Sequence, residues 1–220
     1  MPLQTSTLAF VANLIDNNNR EWFAENKPAY EAAKDDFITL VGRVMELCGV
    51  GEKTTGNKAS SMMFRIYRDV RFSSDKSPFK KNIAAVVAPG GKKDELSGMY
   101  IHLQPGESFV ACGLYAPLPA QLAAARQELD YNGAKLKAIL EVKAFKKYFA
   151  KIEGEQLSRP PKGYDAENLN IDLLKMKQFY VSTPIADGEW VAAGIEEKLA
   201  DIFKTVQPFN QFFKAAVADK

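Results

Sequence analysis

GMYIHLQPGESFVACGLYA, residues 98–116, decides the fold. Met99, Ile101 and Leu103 alternate with Tyr100, His102 and Gln104, and a second β-branched and aromatic run follows Pro105-Gly106. A period of two sends successive side chains to opposite faces of a strand. Pro at the first central position and Gly at the second suit a type II turn. The stretch therefore reads as a hairpin in which Gln104 faces Glu107 and His102 faces Phe109.

Toward the N-terminus, residues 83–89 (IAAVVAP) and 64–72 (FRIYRDVRF) share strand length and content, so the sequence predicts four antiparallel strands in a meander. Gly90-Gly91, followed by Lys92 and Lys93, links two strands and reads as a hairpin turn, not as a phosphate cradle opening a helix. Further upstream the apolar period becomes three to four. Leu8, Val11, Ala12 and Ile15 mark a short helix that stops at Asp16-Asn17-Asn18-Asn19. From Pro28, Tyr30, Ala33, Phe37, Leu40, Val41, Val44, Leu47 and Cys48 mark a longer helix that Gly49 closes. Residues 50–61 read as a loop.

Downstream of Pro117 and Pro119 the helical period returns. Leu122, Ala125 and Leu129 precede Asn132-Gly133, and Leu136, Ile139, Leu140, Phe145, Tyr148 and Phe149 follow it. Residues 153–170 form a polar, Pro- and Gly-punctuated loop long enough to suggest binding, and 171–177 a helical turn. Phe179, Val181 and Ile185 suggest a fifth strand that Pro184 marks as an edge. Asp187 can cap a last helix carrying Trp190, Ile195, Leu199, Ile202, Phe203 and Val206, interrupted at Pro208 before Phe209, Phe212, Phe213 and Val217. The expectation is one α+β domain over 1–220: helical 5–49, sheet 62–116, helical 119–150, loop and edge strand 153–186, C-terminal helix 187–217.

At 220 residues and 46% hydrophobic content the chain can bury a sizeable core. A net charge of +2 excludes a DNA-coating protein, so any attraction for anions must come from clustering. Met1 to Ile15 lacks the features of a secretory signal and no long apolar run appears, so a soluble cytoplasmic protein without a membrane span is expected. Cys48 and Cys112 lie in apolar patterns and read as buried thiols. His102 is the only histidine, which rules out a two-histidine metal site. No nucleotide-binding glycine loop, serine elbow or zinc-helix motif occurs, and no metal or cofactor is expected.

The charge is concentrated in FRIYRDVRFSSDKSPFKKN, residues 64–82, where Arg65, Arg68, Arg71, Lys76, Lys80 and Lys81 face only Asp69 and Asp75. In extended backbone Phe64, Ile66, Arg68, Val70 and Phe72 share one face, and Arg65, Tyr67, Asp69 and Arg71 the other. Arg68, on the apolar side, must find a carboxylate, carbonyls or solvent. Guanidinium forks, ammonium groups and loop amides together suit a phosphate or carboxylate. The alternative is a solvated face whose charges pair with neighbouring acids. A second group, Arg159, Lys162, Lys175 and Lys177, flanks the 153–170 loop.

This run, with GMYIHLQPGESF, YAPLP, RPPKGYDAENLNIDLLKMKQF and the Trp190 region, resembles the family known as domain of unknown function 2461, over about residues 5 to 210. The resemblance implies an α+β intracellular domain and carries no established activity. Its motif positions map onto Arg65, Arg68, Asp69, Arg71, Phe72, Lys76, Pro78, His102, Glu107, Lys162, Gly163 and Tyr164.

Three functional readings follow. One is an anion-binding domain that holds a phosphorylated small molecule or a nucleic-acid backbone through Arg65, Arg68, Asp69, Arg71, Lys76, Lys80 and Lys162. Another is an enzyme on such a substrate, with His102 or Tyr164 moving a proton. The third is a protein-interaction module whose basic strand is a structural ion-pair network. Oligomeric state is left open.

Overall fold

The computed structural model describes residues 1–218, which form ten α-helices and one four-stranded antiparallel sheet. In chain order the elements are α1 Thr5–Asp16, α2 Arg20–Glu25, α3 Lys27–Leu47, α4 Glu52–Thr55, α5 Ala59–Met62, β1 Ile83–Val87, β2 Met99–Leu103, β3 Phe109–Leu114, α6 Pro119–Glu141, α7 Lys143–Tyr148, α8 Ile171–Leu174, β4 Phe179–Pro184, α9 Asp187–Trp190 and α10 Ile195–Ala218. The sheet order β1-β2-β3-β4 is the meander expected of an α+β fold. The chain divides into two compact units. The first holds Met1–Lys93, Tyr100–Val110 and Pro184–Asp201; the second holds Asp94–Met99, Ala111–Thr183 and the described residues from Ile202 onward.

In the first unit, α1 and α3 bury the predicted stripes, among them Val11, Leu14, Phe37, Leu40, Val41 and Val44. Asp36 of α3 accepts the Gln4 amide at 2.9 Å and the Thr7 hydroxyl at 2.6 Å, which anchors the start of α1. Cys48 caps α3 and Gly49 follows in the left-handed region, φ 70°, as a C-terminal glycine should. Between α1 and α3 lies α2, which the sequence reading passed over. The Asn19 side chain caps it by accepting the Trp22 amide at 2.9 Å. Residues 50–61, read as a loop, contain the single-turn helices α4 and α5.

Residues 64–72 are not a regular strand. They touch the sheet side through isolated bridges, Met63 to Ala85 and Tyr67 to Phe79, with hydrogen bonds from Phe64 N to Ala84 O at 2.9 Å and Lys80 N to Ile66 O at 2.8 Å. Arg68 N donates to Pro78 O at 3.0 Å, but Pro78 has no N–H to return, so the ladder stops there. On the edge of the 78–80 segment turned away from Tyr67, the Asn18 side chain takes both backbone groups of Phe79, donating to its carbonyl at 3.0 Å and accepting its amide at 3.1 Å. The alternation in burial survives: Ile66 is buried, Phe64, Arg68 and Val70 are half-buried, and Arg65, Tyr67, Asp69 and Arg71 are exposed. Phe72 departs from it at 97% exposure.

The hairpin has the expected register. Gly106 has φ 79° at the second central turn position, the Glu107 amide donates to Gln104 O at 2.9 Å, and the His102 and Phe109 rings stack with centroids 4.6 Å apart. Asp187 does not cap a long helix. Its carboxylate accepts the Gly106 amide, 3.0 Å to each oxygen, and the last long helix begins only at Ile195.

In the second unit, α6 is kinked at Asn132, where its sequence pattern breaks. Gly113 of β3 has φ 115°, and a Cβ there would lie 2.4 Å from Phe179 O and 2.8 Å from the Phe209 ring, so only glycine fits. Helix α10 runs through Pro208 instead of stopping there. An interior proline costs about 3 kcal/mol. Burial of Phe209, Phe212 and Phe213, each at roughly 2 kcal/mol, outweighs it.

Candidate functional site

The basic run splits into neutralised and uncommitted charge. Arg68, three-quarters buried at its side chain, donates to Asp75 Oδ2 at 2.6 Å, to the Ser77 carbonyl at 3.1 Å and to Ser73 Oγ at 3.3 Å. Arg71 grips Asp69 with Nε and Nη2 at 3.0 and 2.7 Å. These bonds hold both carboxyls below the usual range. For Asp69 the main cause is Arg71; for Asp75, at about 2, the Ser77 hydroxyl and amide come first and Arg68 next. Lys76 donates to Val70 O at 3.0 Å. Asp69, Arg71, Arg68, Asp75 and Lys76 thus brace the 69–77 loop against itself.

Arg65, Lys80 and Lys81 remain, and among the described residues none of them meets a carboxylate. Lys80 Nζ lies 5.4 Å from the Phe64 ring centroid and Lys92 Nζ 5.3 Å from it. Lys92 also donates to Met63 O at 2.6 Å. Burial, then the Arg65 and Lys92 charges, push the half-buried Lys80 ammonium below the ordinary lysine value. Two ammonium groups therefore flank one ring, Arg65 acts on Lys80 from nearby, and among the described residues no acid pairs with Lys80. From sequence Lys92 reads as part of a hairpin turn and not as a site residue. It is separated from the run by a strand and a turn, and only the meander brings it back to Phe64.

Beside this cluster, Asn82 Nδ2 lies 2.7 Å from His102 Nδ1 and Tyr100 Oη 3.2 Å from it, while His102 Nε2 lies 3.3 Å from Gln104 Oε1. With Asn82 donating, Nδ1 is the acceptor and Nε2 carries the proton toward Gln104. Gln104 in turn donates to Glu107. Burial lowers the His102 pKa against the opposing pull of Gln104 and Glu107. A neutral ring with both nitrogens engaged is built as a fixed hydrogen-bonder.

Tyr164 belongs to the second unit. Burial raises its pKa, Asp130 adds to the rise and Arg126 opposes it, so its hydroxyl keeps its proton. Lys162 is exposed in the same unit, and Lys177 pairs with Glu155 at 3.0 Å. Arg126, another residue missed from sequence, donates to the carbonyls of Leu174 at 2.8 Å and Met176 at 3.1 Å. Cys112 is buried and its thiol pKa is pushed up by that burial, whereas Cys48 is only half-buried. Among the described residues no three His, Cys, Asp or Glu side chains group as metal ligands, and no helix is long and apolar enough to cross a membrane.

Two hollows stand out. An open groove of about 810 Å³ in the first unit runs between residues 18–27 and 67–79. A smaller one of about 550 Å³ in the second unit is lined by Tyr115, Tyr180, Glu153 and Lys151 among others.

The fold defines an α+β protein with a four-stranded antiparallel meander. Residues 6–212 match the family described as "Conserved hypothetical protein (DUF2461)", and the chain belongs to it. No curated protein and no solved structure matches the chain.

Proposed function

We propose that the chain binds a phosphate-bearing anion, with Lys80 and Lys92, which flank Phe64, and Arg65, which acts on Lys80, as the contacting cations. One observation carries the reading: the half-buried Lys80 ammonium has two cationic neighbours and, among the described residues, no acid. Like charges gathered in a partly desolvated place destabilise the empty protein, and an incoming anion removes that cost. Arg68, Asp75 and Lys76 supply the frame that holds the segment bearing Arg65, and the exposed Arg71–Asp69 pair stands outside it. Asn82 and Tyr100 add neutral hydrogen-bonding groups beside the cations. The engaged His102 ring favours binding over catalysis.

Calorimetric titration with inorganic phosphate and pyrophosphate, against chloride at equal ionic strength, tests the proposal. Binding is expected in the native chain, lost in Lys80→Met and Lys92→Met and kept in Arg71→Ala. Binding that survives both lysine changes, or disappears in Arg71→Ala, overturns it. A shallow dependence of log affinity on log salt identifies a small anion, whereas a slope near 0.9 per phosphate identifies a nucleic-acid backbone.

A further inference from the structure

The groove in the first unit is a separate feature from the Lys80 cluster. We infer that it docks an acidic peptide segment carrying one aromatic or large apolar anchor. Its floor is apolar: Phe23 and Phe79 stack face to face with centroids 4.0 Å apart, and Tyr67 leans on both at 6.1 and 5.2 Å while staying 55% exposed. A half-exposed ring over a closed aromatic stack gives an anchor side chain something to cover.

The rim is cationic. Arg20, Lys27 and Lys76 border the groove, Glu21 is the only carboxylate lining it, and among the described residues neither Arg20 nor Lys27 pairs with an acid. Arg68 also lines it, but Asp75 neutralises that charge. The complementary occupant is therefore negative at its flanks and apolar at its centre. The wall is already set. Asn18 locks the Phe79 backbone from one side, and the Asp75-centred bonds lock the 69–77 loop from the other, so little ordering is left for binding to impose. A nucleic-acid strand fits less well, because successive bases need successive platforms and Tyr67 is the one exposed aromatic ring lining the groove.

The test uses fluorescence anisotropy with the full chain and four labelled probes: a peptide Glu-Glu-Asp-Trp-Glu-Asp-Glu, the same peptide with Trp replaced by Ala, a Lys-flanked Trp peptide, and a twelve-residue oligothymidylate. The Trp-bearing acidic peptide is expected to bind at least tenfold tighter than each of the others. Tyr67→Ala and the exposed helix-surface change Lys27→Glu should each weaken it at least tenfold, Lys27→Glu without lowering Tm, while Lys80→Met leaves it unchanged. This proposal and the anion site therefore fail separately. Equal binding of the Ala peptide, preference for the oligonucleotide, absence of binding, or indifference to Lys27→Glu overturns the inference.

Discussion

Replacing Lys80 with Met keeps the aliphatic stem against Phe64 and removes only the charge. Both ammonium groups stand within 5.4 Å of the Phe64 centroid, so Lys80 and Lys92 are at most about 11 Å apart. At roughly 10 Å two unit charges repel by about 1.7 kcal/mol at an effective dielectric near 20 and by about 0.4 kcal/mol in bulk water. The cation–π attraction lost with the charge is about 0.5 kcal/mol at such a site. The variant should therefore match or exceed the native chain by up to about 1 kcal/mol in chloride, a Tm gain of about 0–4 °C at this chain length. In phosphate at one hundred times its dissociation constant the native chain gains about 2.7 kcal/mol, and the variant gains nothing. The two proteins exchange rank between buffers. Differential scanning calorimetry at pH 7 and matched ionic strength reads this directly. A variant that melts several degrees below the native chain in chloride, or that gains as much from phosphate, refutes the reasoning.

Other outcomes follow from the same geometry. Gly113→Ala sets a Cβ 2.4 Å from a backbone oxygen at φ 115°, so a loss of more than about 3 kcal/mol, or failure to fold, should appear in denaturant melts. Asp75→Asn removes the anion that holds Arg68 and two Ser77 bonds; its Tm falls at neutral pH. In the native chain that contribution is present above pH 3.8 and is lost as pH falls through about 2, which acid titration followed by circular dichroism measures. His102 has a lowered folded pKa, so the unfolded chain takes up its proton first. Stability should decline as pH falls below about 6.5, and His102→Gln should flatten that decline in urea midpoints measured between pH 5 and 8.

The strands from 83 to 114 and the helices α1 and α3 were legible because hydrophobic period depends on local backbone geometry alone. Strand register was legible too, since Pro105-Gly106 fixes which residues face each other. The 64–72 segment misled for a reason outside itself: its alternation is real, but the residue opposite Arg68 is Pro78, which has no N–H to complete the ladder. Pro208 misled because the burial of Phe209, Phe212 and Phe213 decides the helix, and that burial is tertiary. At the site, sequence showed a surplus of cations but not how they divide. Whether Asp75 meets Arg68 across seven residues, or Lys92 returns to Phe64 from beyond β1, depends on loop closure that no local pattern encodes.

The central claim is that Lys80 sits beside cations, with no acid paired to it among the described residues, and is completed by an anion. Lysine-selective NMR titration of its side chain measures this most directly. The account predicts a pKa below the ordinary 10.5 in chloride that rises when phosphate is added, because bound negative charge favours the ammonium form. A value at or above 10.5 that phosphate does not move would contradict it.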